Sequence, residues 1–240
     1  MIFLNDVKFL IQKTFNKFGW EISRFSNSEM VCLSRQLSLR FIDNVIDIGA
    51  NQGQFASSLF SAGYNGSITS FEPLLIPHKK LKKLAEKNPR WLVADRVAVG
   101  AEIGIVEINI SQNLVSSSIL PILVDHTSAA PNSKYMGRES ISMITLDSFF
   151  NKKPMNRPFI KIDTQGYEMQ VLKGCANSLK DASGVLVEVS IASLYEGQAD
   201  YITLLSFLRD AGFDIWAVNP GFRDPSSGRL LQFDALFFRR

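Results

Sequence analysis

The stretch Val45-Ile-Asp-Ile-Gly-Ala-Asn-Gln-Gly-Gln-Phe55 decides the fold, because an apolar strand pattern runs directly into a turn that is rich in glycine. Residues 54–61 then have the apolar spacing of a helix. Glycine permits positive φ angles and lets a ligand approach the backbone closely. In an open α/β sheet, ligands bind in the crevice at the carboxyl ends of the strands. The stretch therefore predicts the first strand of such a sheet, followed by a ligand-binding loop and a helix.

Strand and helix patterns alternate along the chain after this loop. Further strands are predicted at residues 67–71, 91–99, 104–110, 159–162, 185–189, 213–218 and 230–238. Further helices are predicted at residues 77–87, 167–180 and 198–211. The alternation indicates a Rossmann-like α/β fold, in which a mostly parallel sheet carries helices on both faces. No helix separates the last two strands, so they are predicted to form an antiparallel hairpin at one edge. The fourth pattern, residues 104–110, is predicted to pair as a hairpin with the third.

The segment of residues 111–140 interrupts the alternation and is rich in Ser, Pro and Asn. A connection of this length inside a compact domain is usually functional or disordered. We interpret it as a lid over the ligand-binding crevice or as an inert surface loop. In a lid, residues 116–118 and His126 would bind hydroxyl groups of a ligand, and Tyr135 would offer a flat apolar surface to a ring such as that of a sugar.

The excess positive charge of the chain lies at its N-terminus. The 240 residues carry a formal net charge of +3, and residues 1–40 hold six basic against three acidic residues. The remainder is therefore neutral, which disfavours a nucleic-acid partner. We divide the chain into an N-terminal helical extension, residues 1–40, and a main domain, residues 41–240. An amphipathic helix predicted at residues 5–18 would pack on the main domain, form a homodimer contact or lie on a membrane surface.

Cysteine content and hydropathy indicate the compartment. Cys32 and Cys175 are too few for a disulfide framework, and we expect both to be reduced in the cytoplasm. The N-terminus carries charges within its first apolar stretch and has no cleavage-site pattern, so it does not resemble a secretory signal. No run of about 18 uncharged apolar residues is present, so no transmembrane segment is predicted.

Two carboxylates near the glycine turn indicate the kind of ligand. Asp47 lies two residues before Gly49, where it would repel a pyrophosphate but suit a ligand with ammonium and sulfonium charges. The turn also lacks the third glycine of the nicotinamide fingerprint. Glu72 ends the second strand, where an acid can accept hydrogen bonds from both ribose hydroxyls of an adenosine. These features favour S-adenosylmethionine over NAD.

Three motifs in order carry a resemblance to a known family: Asp47-Ile-Gly-Ala-Asn-Gln-Gly-Gln-Phe55, Ser70-Phe-Glu-Pro73 and Ile160-Lys-Ile-Asp-Thr-Gln-Gly-Tyr-Glu168. Together with Val171-Leu-Lys-Gly174 and Val187-Glu-Val189, they make residues 41–240 resemble the FkbM family of methyltransferases. The resemblance implies methyl transfer from S-adenosylmethionine, commonly to a hydroxyl of a sugar, a polyketide or a similar natural product. It implies a methionine-end site formed by Asp47, Gly49, Asn51 and Gly53, a ribose site at Glu72, and an adenine site at Val97 and Ala98.

The end of the fourth parallel strand, predicted at residues 159–162, carries the candidate chemistry. Asp163 is the candidate catalytic base, because an alcohol must lose its proton when it attacks a methyl group. Glu188, near the end of the fifth parallel strand at residues 185–189, is a weaker candidate to share Mg²⁺ or Ca²⁺ with Asp163. Gln165 departs from the family, which often has a glutamate there, and this puts an acid–base or metal role for position 165 in doubt. Lys161 shares the strand face of Asp163, and Glu168 would stabilise a helix N-terminus.

The sequence thus predicts a methyltransferase that acts on a hydroxyl of a sugar-like or secondary-metabolite acceptor. An N-methyltransferase, a NAD-type oxidoreductase and a non-catalytic binding protein with the same fold are the alternatives. The glycine turn and Asp47 argue against the oxidoreductase. The presence of Asp47, Glu72 and Asp163 together argues against a non-catalytic protein.

Overall fold

The computed structural model describes residues 14, 17 and 28–240, so the helix predicted at residues 5–18 lies, but for two positions, outside the described residues. The strands are β1 Asn44–Ile48, β2 Ser67–Phe71, β3 Trp91–Val93, β4 Ala98–Val99, β5 Gly104–Ser111, β6 Tyr135–Ile144, β7 Phe159–Ile162, β8 Gly184–Ser190, β9 Phe213–Pro220 and β10 Gln232–Arg239. The helices are α1 Glu29–Leu39, α2 Gln54–Ser61, α3 Leu75–Ala85, α4 Val124–Ala129, α5 Leu146–Lys152, α6 Glu168–Lys173, α7 Ser178–Asp181 and α8 Tyr201–Asp210.

The main sheet has the strand order β3-β2-β1-β7-β8-β10-β9. Strands β3, β2, β1, β7 and β8 run parallel to one another, and β10 runs antiparallel to both β8 and β9. The chain passes from β9 to β10 without a helix, as the last two sequence patterns predict. The mostly parallel Rossmann-like sheet and its closing antiparallel hairpin are therefore confirmed.

Both faces of the sheet are buried, which explains why its central strands are apolar almost throughout. In β1, Val45 joins a cluster with Leu59 of α2 on one face, and Ile46 and Ile48 join the larger core on the other. Successive side chains of a strand point to opposite faces, so Asp47 points to the same face as Val45.

Helix α1 packs on the main sheet. Leu33 and Leu37 are buried in the same cluster as Val45. At the end of the helix, the Arg40 guanidinium lies 3.9 Å from the ring centre of Phe238 in β10. Residues 29–40 of the predicted extension therefore contribute to the core of the domain.

The segment of residues 91–144 differs from its prediction. The predicted third strand is interrupted at residues 94–97, and its second part, β4, leaves the main sheet to pair with β6. Strand β5 pairs with β6 and not with the third strand, so the predicted hairpin at residues 104–110 is wrong. The loop predicted at residues 111–140 contains α4 and the start of β6. The first half of β6 is largely exposed, which removes the apolar alternation that would have revealed a strand.

The predicted helix at residues 167–180 is divided into α6 and α7. Gly174 ends α6, and a Cβ atom built on it would lie 1.9 Å from the backbone oxygen of Gly100. The close approach of these two segments requires glycine at this position. Among the described residues, no helix has the length and apolar content needed to cross a membrane.

Candidate active site

The loop between β1 and α2 has the left-handed conformation that its glycines predict. Gly49, Asn51 and Gly53 have φ angles of 77°, 47° and 91°. A Cβ atom on Gly49 would lie 1.8 Å from the backbone oxygen of Asp163, so only glycine lets the ends of β1 and β7 meet. A Cβ atom on Gly53 would instead meet the Trp91 ring at 2.7 Å. Gly49 therefore shapes the ligand side of the loop, whereas Gly53 packs against the protein interior.

Glu72, at the end of β2, holds this loop. Its Oε2 atom accepts a hydrogen bond of 2.8 Å from the backbone N–H of Asn51, and its Oε1 atom accepts one of 2.8 Å from Leu74. The side chain is buried, and this burial raises the pKa of the carboxyl to about 7 although both backbone donors lower it. Glu72 thus joins the glycine loop to the beginning of α3.

A cavity opens at the carboxyl ends of β1, β2 and β7. Its wall includes the predicted ligand residues Gly49, Asn51, Glu72, Val97, Ala98 and Asp163. Apolar side chains from both sheets and from residues 114–119 complete the wall. The described structure therefore brings six of the eight sequence-predicted site residues around one cavity, and the exceptions are Asp47 and Gly53.

Asp47 lies behind the loop and does not line the cavity. It is fully buried, and its Oδ2 atom accepts a hydrogen bond of 3.0 Å from the Ser70 hydroxyl. Its Oδ1 atom lies 3.3 Å from the Lys161 ammonium. The predicted direct contact of Asp47 with a ligand is thus replaced by a contact with Lys161, because Asp47 points to the helix-covered face of the sheet.

Lys161 connects three oxygen atoms beneath the loop. Its ammonium lies 3.3 Å from Asp47 and 3.3 Å from Oδ2 of Asp163, and it donates a hydrogen bond of 3.2 Å to the Gly49 carbonyl. Burial lowers the pKa of Lys161, but the attraction of Asp163 and Asp47 outweighs it, so the pKa lies above its usual range. The lysine is therefore charged and fixes the loop to the end of β7.

Gln165 lies between Asp163 and Glu188. Its Nε2 atom donates a hydrogen bond of 2.9 Å to Oδ1 of Asp163 and one of 2.7 Å to Oε2 of Glu188. Its Oε1 atom accepts a hydrogen bond of 2.8 Å from the Tyr195 hydroxyl. Gln232 of β10 donates a second hydrogen bond of 2.7 Å to Oε2 of Glu188. The predicted convergence of Asp163 and Glu188 is thus present, but it runs through an amide group.

This arrangement does not fit a divalent cation. The described residues contain no group of three or more His, Cys, Asp or Glu side chains placed to hold a metal ion. The amide of Gln165 occupies the position between Asp163 and Glu188 where a shared cation would lie, and its N–H groups face both carboxylates. Positively polarised donors at that point exclude a cation sterically and electrostatically.

Glu168 shapes the loop that carries Gln165. Its Oε1 atom accepts hydrogen bonds from the backbone N–H groups of Thr164, at 2.9 Å, and Gly166, at 3.1 Å. Burial raises the pKa of Glu168 to about 7. The carboxylate therefore binds the open N–H groups before α6, which is the helix-terminus role that the sequence predicts.

A second cavity lies on the other side of the glycine loop. It shares Gly49, Asn51, Val115 and Asp163 with the first cavity. The rest of its wall comes from α1, α2, the sheet and β10, and consists of Met30, Ala50, Gln54, Phe55, Ser58, Lys161, Ile162, Leu186 and Asp234. Burial and the charge of Asp163 raise the pKa of Asp234 to about 6. Asp163 thus lies at the wall that the two cavities have in common.

The predicted lid residues are divided between cavity wall and interior. Residues 114–119 cover the first cavity, and the Ser118 hydroxyl anchors them by donating a hydrogen bond of 2.6 Å to the Gln165 carbonyl. His126 is instead buried, 5.1 Å from the Tyr195 ring centre, and burial lowers its pKa to about 4. The Tyr135 hydroxyl donates a hydrogen bond of 2.6 Å to the Leu120 carbonyl. His126 and Tyr135 therefore line neither cavity, contrary to the lid hypothesis.

Sequence reasoning missed the bridging role of Gln165 and the part of Gln232. Gln165 stood out only as a departure from the family pattern, and its long-range partner Tyr195 has no local signal. Gln232 lies in a strand that reads as apolar core. Its register opposite Ser190, next to the pair of Asp234 and Glu188, places its amide beside the β8 carboxylate.

Comparison with known proteins agrees with this architecture. The sequence model of the methyltransferase FkbM domain matches residues 47–215. No sequence among the curated proteins is significantly similar to the chain.

Solved structures resemble the fold at low sequence identity. The fibrillarin/Nop5p complex aligns with a TM-score of 0.48 and 14% identity, over 86% of this chain and 79% of that one. A Burkholderia thailandensis 1,6-didemethyltoxoflavin-N1-methyltransferase aligns with a TM-score of 0.47 and 12% identity, over 90% and 80% of the two chains. EvdMO1 aligns with a TM-score of 0.42 and 11% identity over 97% of this chain, which spans only 47% of that protein.

The sheet order, the closing hairpin and the cavity at the strand ends define a Rossmann-like class I methyltransferase fold. The domain match covers more than half of the chain, and the chain therefore belongs to the FkbM methyltransferase family. This membership supports the S-adenosylmethionine-dependent methyl transfer that the motifs predict.

Proposed function

We propose that this protein transfers a methyl group from S-adenosylmethionine to a hydroxyl of a sugar-like or secondary-metabolite acceptor. The single observation that carries the proposal is that Asp163 lines both cavities at once. A methyl donor in the first cavity and an acceptor in the second would meet beside this carboxylate. Alignment of two reactants is the main contribution that such an enzyme makes, because the sulfonium is already an activated leaving group.

The first cavity is the proposed cofactor site. Glu72 would accept hydrogen bonds from the ribose hydroxyls, since each carboxylate oxygen has a lone pair left after binding one backbone N–H. Val97 and Ala98 would contact the adenine. The Oδ1 atom of Asn51 is buried without a hydrogen-bond partner, and it would accept one from the ammonium of the methionine end. Asp47 and Gly53 would act indirectly, by fixing the loop.

The second cavity is the proposed acceptor site. Asp163 would take the proton from the acceptor hydroxyl as the oxygen attacks the methyl carbon and the carbon–sulfur bond breaks. The side chain of Asp163 is 35% exposed, so it is accessible from the cavity. Carboxylate oxygens of Asp163 and Asp234 suit the hydroxyl donors of a polyhydroxylated acceptor, and the Phe55 ring suits its apolar face.

Isothermal titration calorimetry tests the cofactor assignment without any knowledge of the acceptor. We expect S-adenosylmethionine to bind and NAD to give no heat of binding. Binding of NAD alone would contradict the assignment and would support the oxidoreductase alternative.

The catalytic assignment is tested by Asp163→Asn. We expect turnover to fall by a factor of about 10²–10⁴, the usual contribution of a general base, whereas the affinity for S-adenosylmethionine should change by a far smaller factor. Radiolabelled methyl transfer to a panel of paired hydroxyl and amine acceptors measures the effect, with Asp125→Asn on the exposed part of α4 as the control. Transfer to the amine members alone would establish the N-methyltransferase alternative.

A further inference from the structure

The orientation of the Gln165 amide is fixed by its partners. The Tyr195 hydroxyl lies 2.8 Å from Oε1 and 3.2 Å from the Ser116 carbonyl, so its single O–H has two acceptors within reach. The amide is therefore oriented by the two carboxylates, which accept hydrogen bonds from Nε2. Rotation of the amide by 180° would bring Oε1 against Asp163 and Glu188, so three oxygen acceptors would face one another. Each Nε2 hydrogen therefore has one carboxylate partner, and the amide uses its full donor capacity.

The backbone of Gln165 is held as firmly as its side chain. The residue has a φ angle of 55°, which is uncommon for a residue other than glycine. Its carbonyl accepts the Ser118 hydrogen bond, and the Glu168 carboxylate binds the N–H groups on either side of it. Such a conformation persists only when the surrounding structure determines it, and it recurs at functional sites.

We propose that Gln165 is a positioning residue that takes the place of a divalent cation between Asp163 and Glu188. Its amide holds the two carboxylates together and fixes Asp163 at the wall between the cavities, so that methyl transfer needs no metal. The catalytic part of this inference rests on the proposed function, but the replacement of a cation does not.

A metal titration of Gln165→Glu tests the replacement without an acceptor. The variant places three carboxylates, at positions 163, 165 and 188, around the point that the amide now occupies. We expect it to bind Mn²⁺ at least about tenfold more tightly than the wild type in calorimetry, because the number of charged oxygen ligands sets the affinity of such sites.

The matched control is Gln232→Glu. It adds the same charge beside Glu188, but the hydrogen bonds of the Gln232 amide go to Glu188 and Ser190 and not to Asp163, so its affinity for Mn²⁺ should remain that of the wild type. Tight binding of Mn²⁺ to the wild type would overturn the proposal. Equal binding by both variants, or no gain in Gln165→Glu, would overturn it as well, since the carboxylates would then not converge on position 165.

The positioning role is tested with Gln165→Met, which keeps the length of the side chain and removes its hydrogen bonds. Once an acceptor is known, we expect kcat to fall by a factor of about 10–100, as for residues that orient a functional group. Gln165 also borders the first cavity, so the dissociation constant of S-adenosylmethionine should change, but by a much smaller factor than kcat. In Gln165→Glu, kcat should be low in EDTA and recover with Mn²⁺, which a purely structural residue would not cause.

Two results would refute this role. They are an unchanged kcat in Gln165→Met, and an equal loss of kcat and cofactor affinity. Either result would leave the assignment of the methyltransferase itself intact, because cofactor binding and transfer by the wild type are measured separately.

Discussion

The Lys161 ammonium lies between the carboxylates of Asp47 and Asp163 and forms an ion pair with each. A buried carboxylate without a partner is strongly destabilising, and Lys161 provides the partner for Asp47 as well as for Asp163. The same ammonium donates a hydrogen bond to the Gly49 carbonyl, so Lys161 links Asp47 to the glycine loop. The first acid of the motif, Asp47, thus lines neither cavity and contacts the loop through Lys161.

Glu72→Ala tests the residue that both holds the glycine loop and is proposed to bind the ribose. The alanine variant removes the proposed ribose acceptor and leaves two backbone N–H groups without their partner, Asn51 in the glycine loop and Leu74 before α3. We expect calorimetry to show a loss of about 1–3 kcal/mol in the binding free energy of S-adenosylmethionine. The exposed Glu86→Ala serves as the control. Unchanged affinity in Glu72→Ala would remove this carboxylate from the cofactor site.

At the scale of the elements, local patterns predicted what local contacts determine. Strands β1, β2 and β7 and helix α2 are covered by immediate neighbours, and their apolar runs and glycine turn fixed their positions to within a residue. Strand β6 was missed because its first half is exposed and its partner β5 lies 24 residues earlier. The residues of the site that stand on strand ends were predictable for the same reason, whereas the contacts of Gln165 depend on residues 30 positions away.

The buried carboxyl of Glu168, which binds the turn between β7 and α6, should make the stability of the protein depend on pH. Burial raises the pKa of Glu168 to about 7 in the folded chain from its ordinary value of 4.5, so between these pH values the folded state binds more protons than the unfolded state. The stabilisation by this group is present below pH 4.5 and is lost as the pH rises through 7.

The variant Glu168→Gln cannot titrate and should lack this contribution. We expect the free energy of unfolding of the wild type to fall more steeply from pH 5 to pH 7 than that of the variant, as measured by urea denaturation. The amide oxygen of the variant can still accept the hydrogen bonds from Thr164 and Gly166, so the comparison isolates the titration of the carboxyl. Parallel curves for the two proteins would show that Glu168 is charged at pH 5 and would contradict the expected shift.

At the scale of the whole molecule, one cavity lies within the part of the chain that matches the family and the other extends beyond it. The family match ends at residue 215, and the first cavity is built entirely from residues within it. The second cavity also uses Met30 of α1 and Asp234 of β10, which lie outside the match. The bridged carboxylate Glu188 likewise depends on Gln232 in β10. The proposed cofactor site therefore lies within the family match, whereas the proposed acceptor site extends beyond it.

Two N-terminal deletions separate the predicted extension from the domain. Removal of residues 1–27 leaves α1 in place, and every proposed cofactor contact lies further along the chain, so folding and affinity for S-adenosylmethionine should persist. Removal of residues 1–40 deletes Leu33 and Leu37 from the core, at a cost of about 2–5 kcal/mol for each buried leucine. We expect the second variant to be largely unfolded by circular dichroism.

The shorter deletion also tests the predicted homodimer contact at residues 5–18. If the segment forms the dimer contact, light scattering should give a dimer for the full chain and a monomer for the variant that begins at residue 28, because the apolar residues of that segment are removed. A parallel flotation assay with anionic liposomes distinguishes a membrane-surface helix, which would bind vesicles without any change in mass. Equal masses for both chains would rule out the dimer contact, and unfolding of the shorter deletion would show that residues 1–27 stabilise the domain itself.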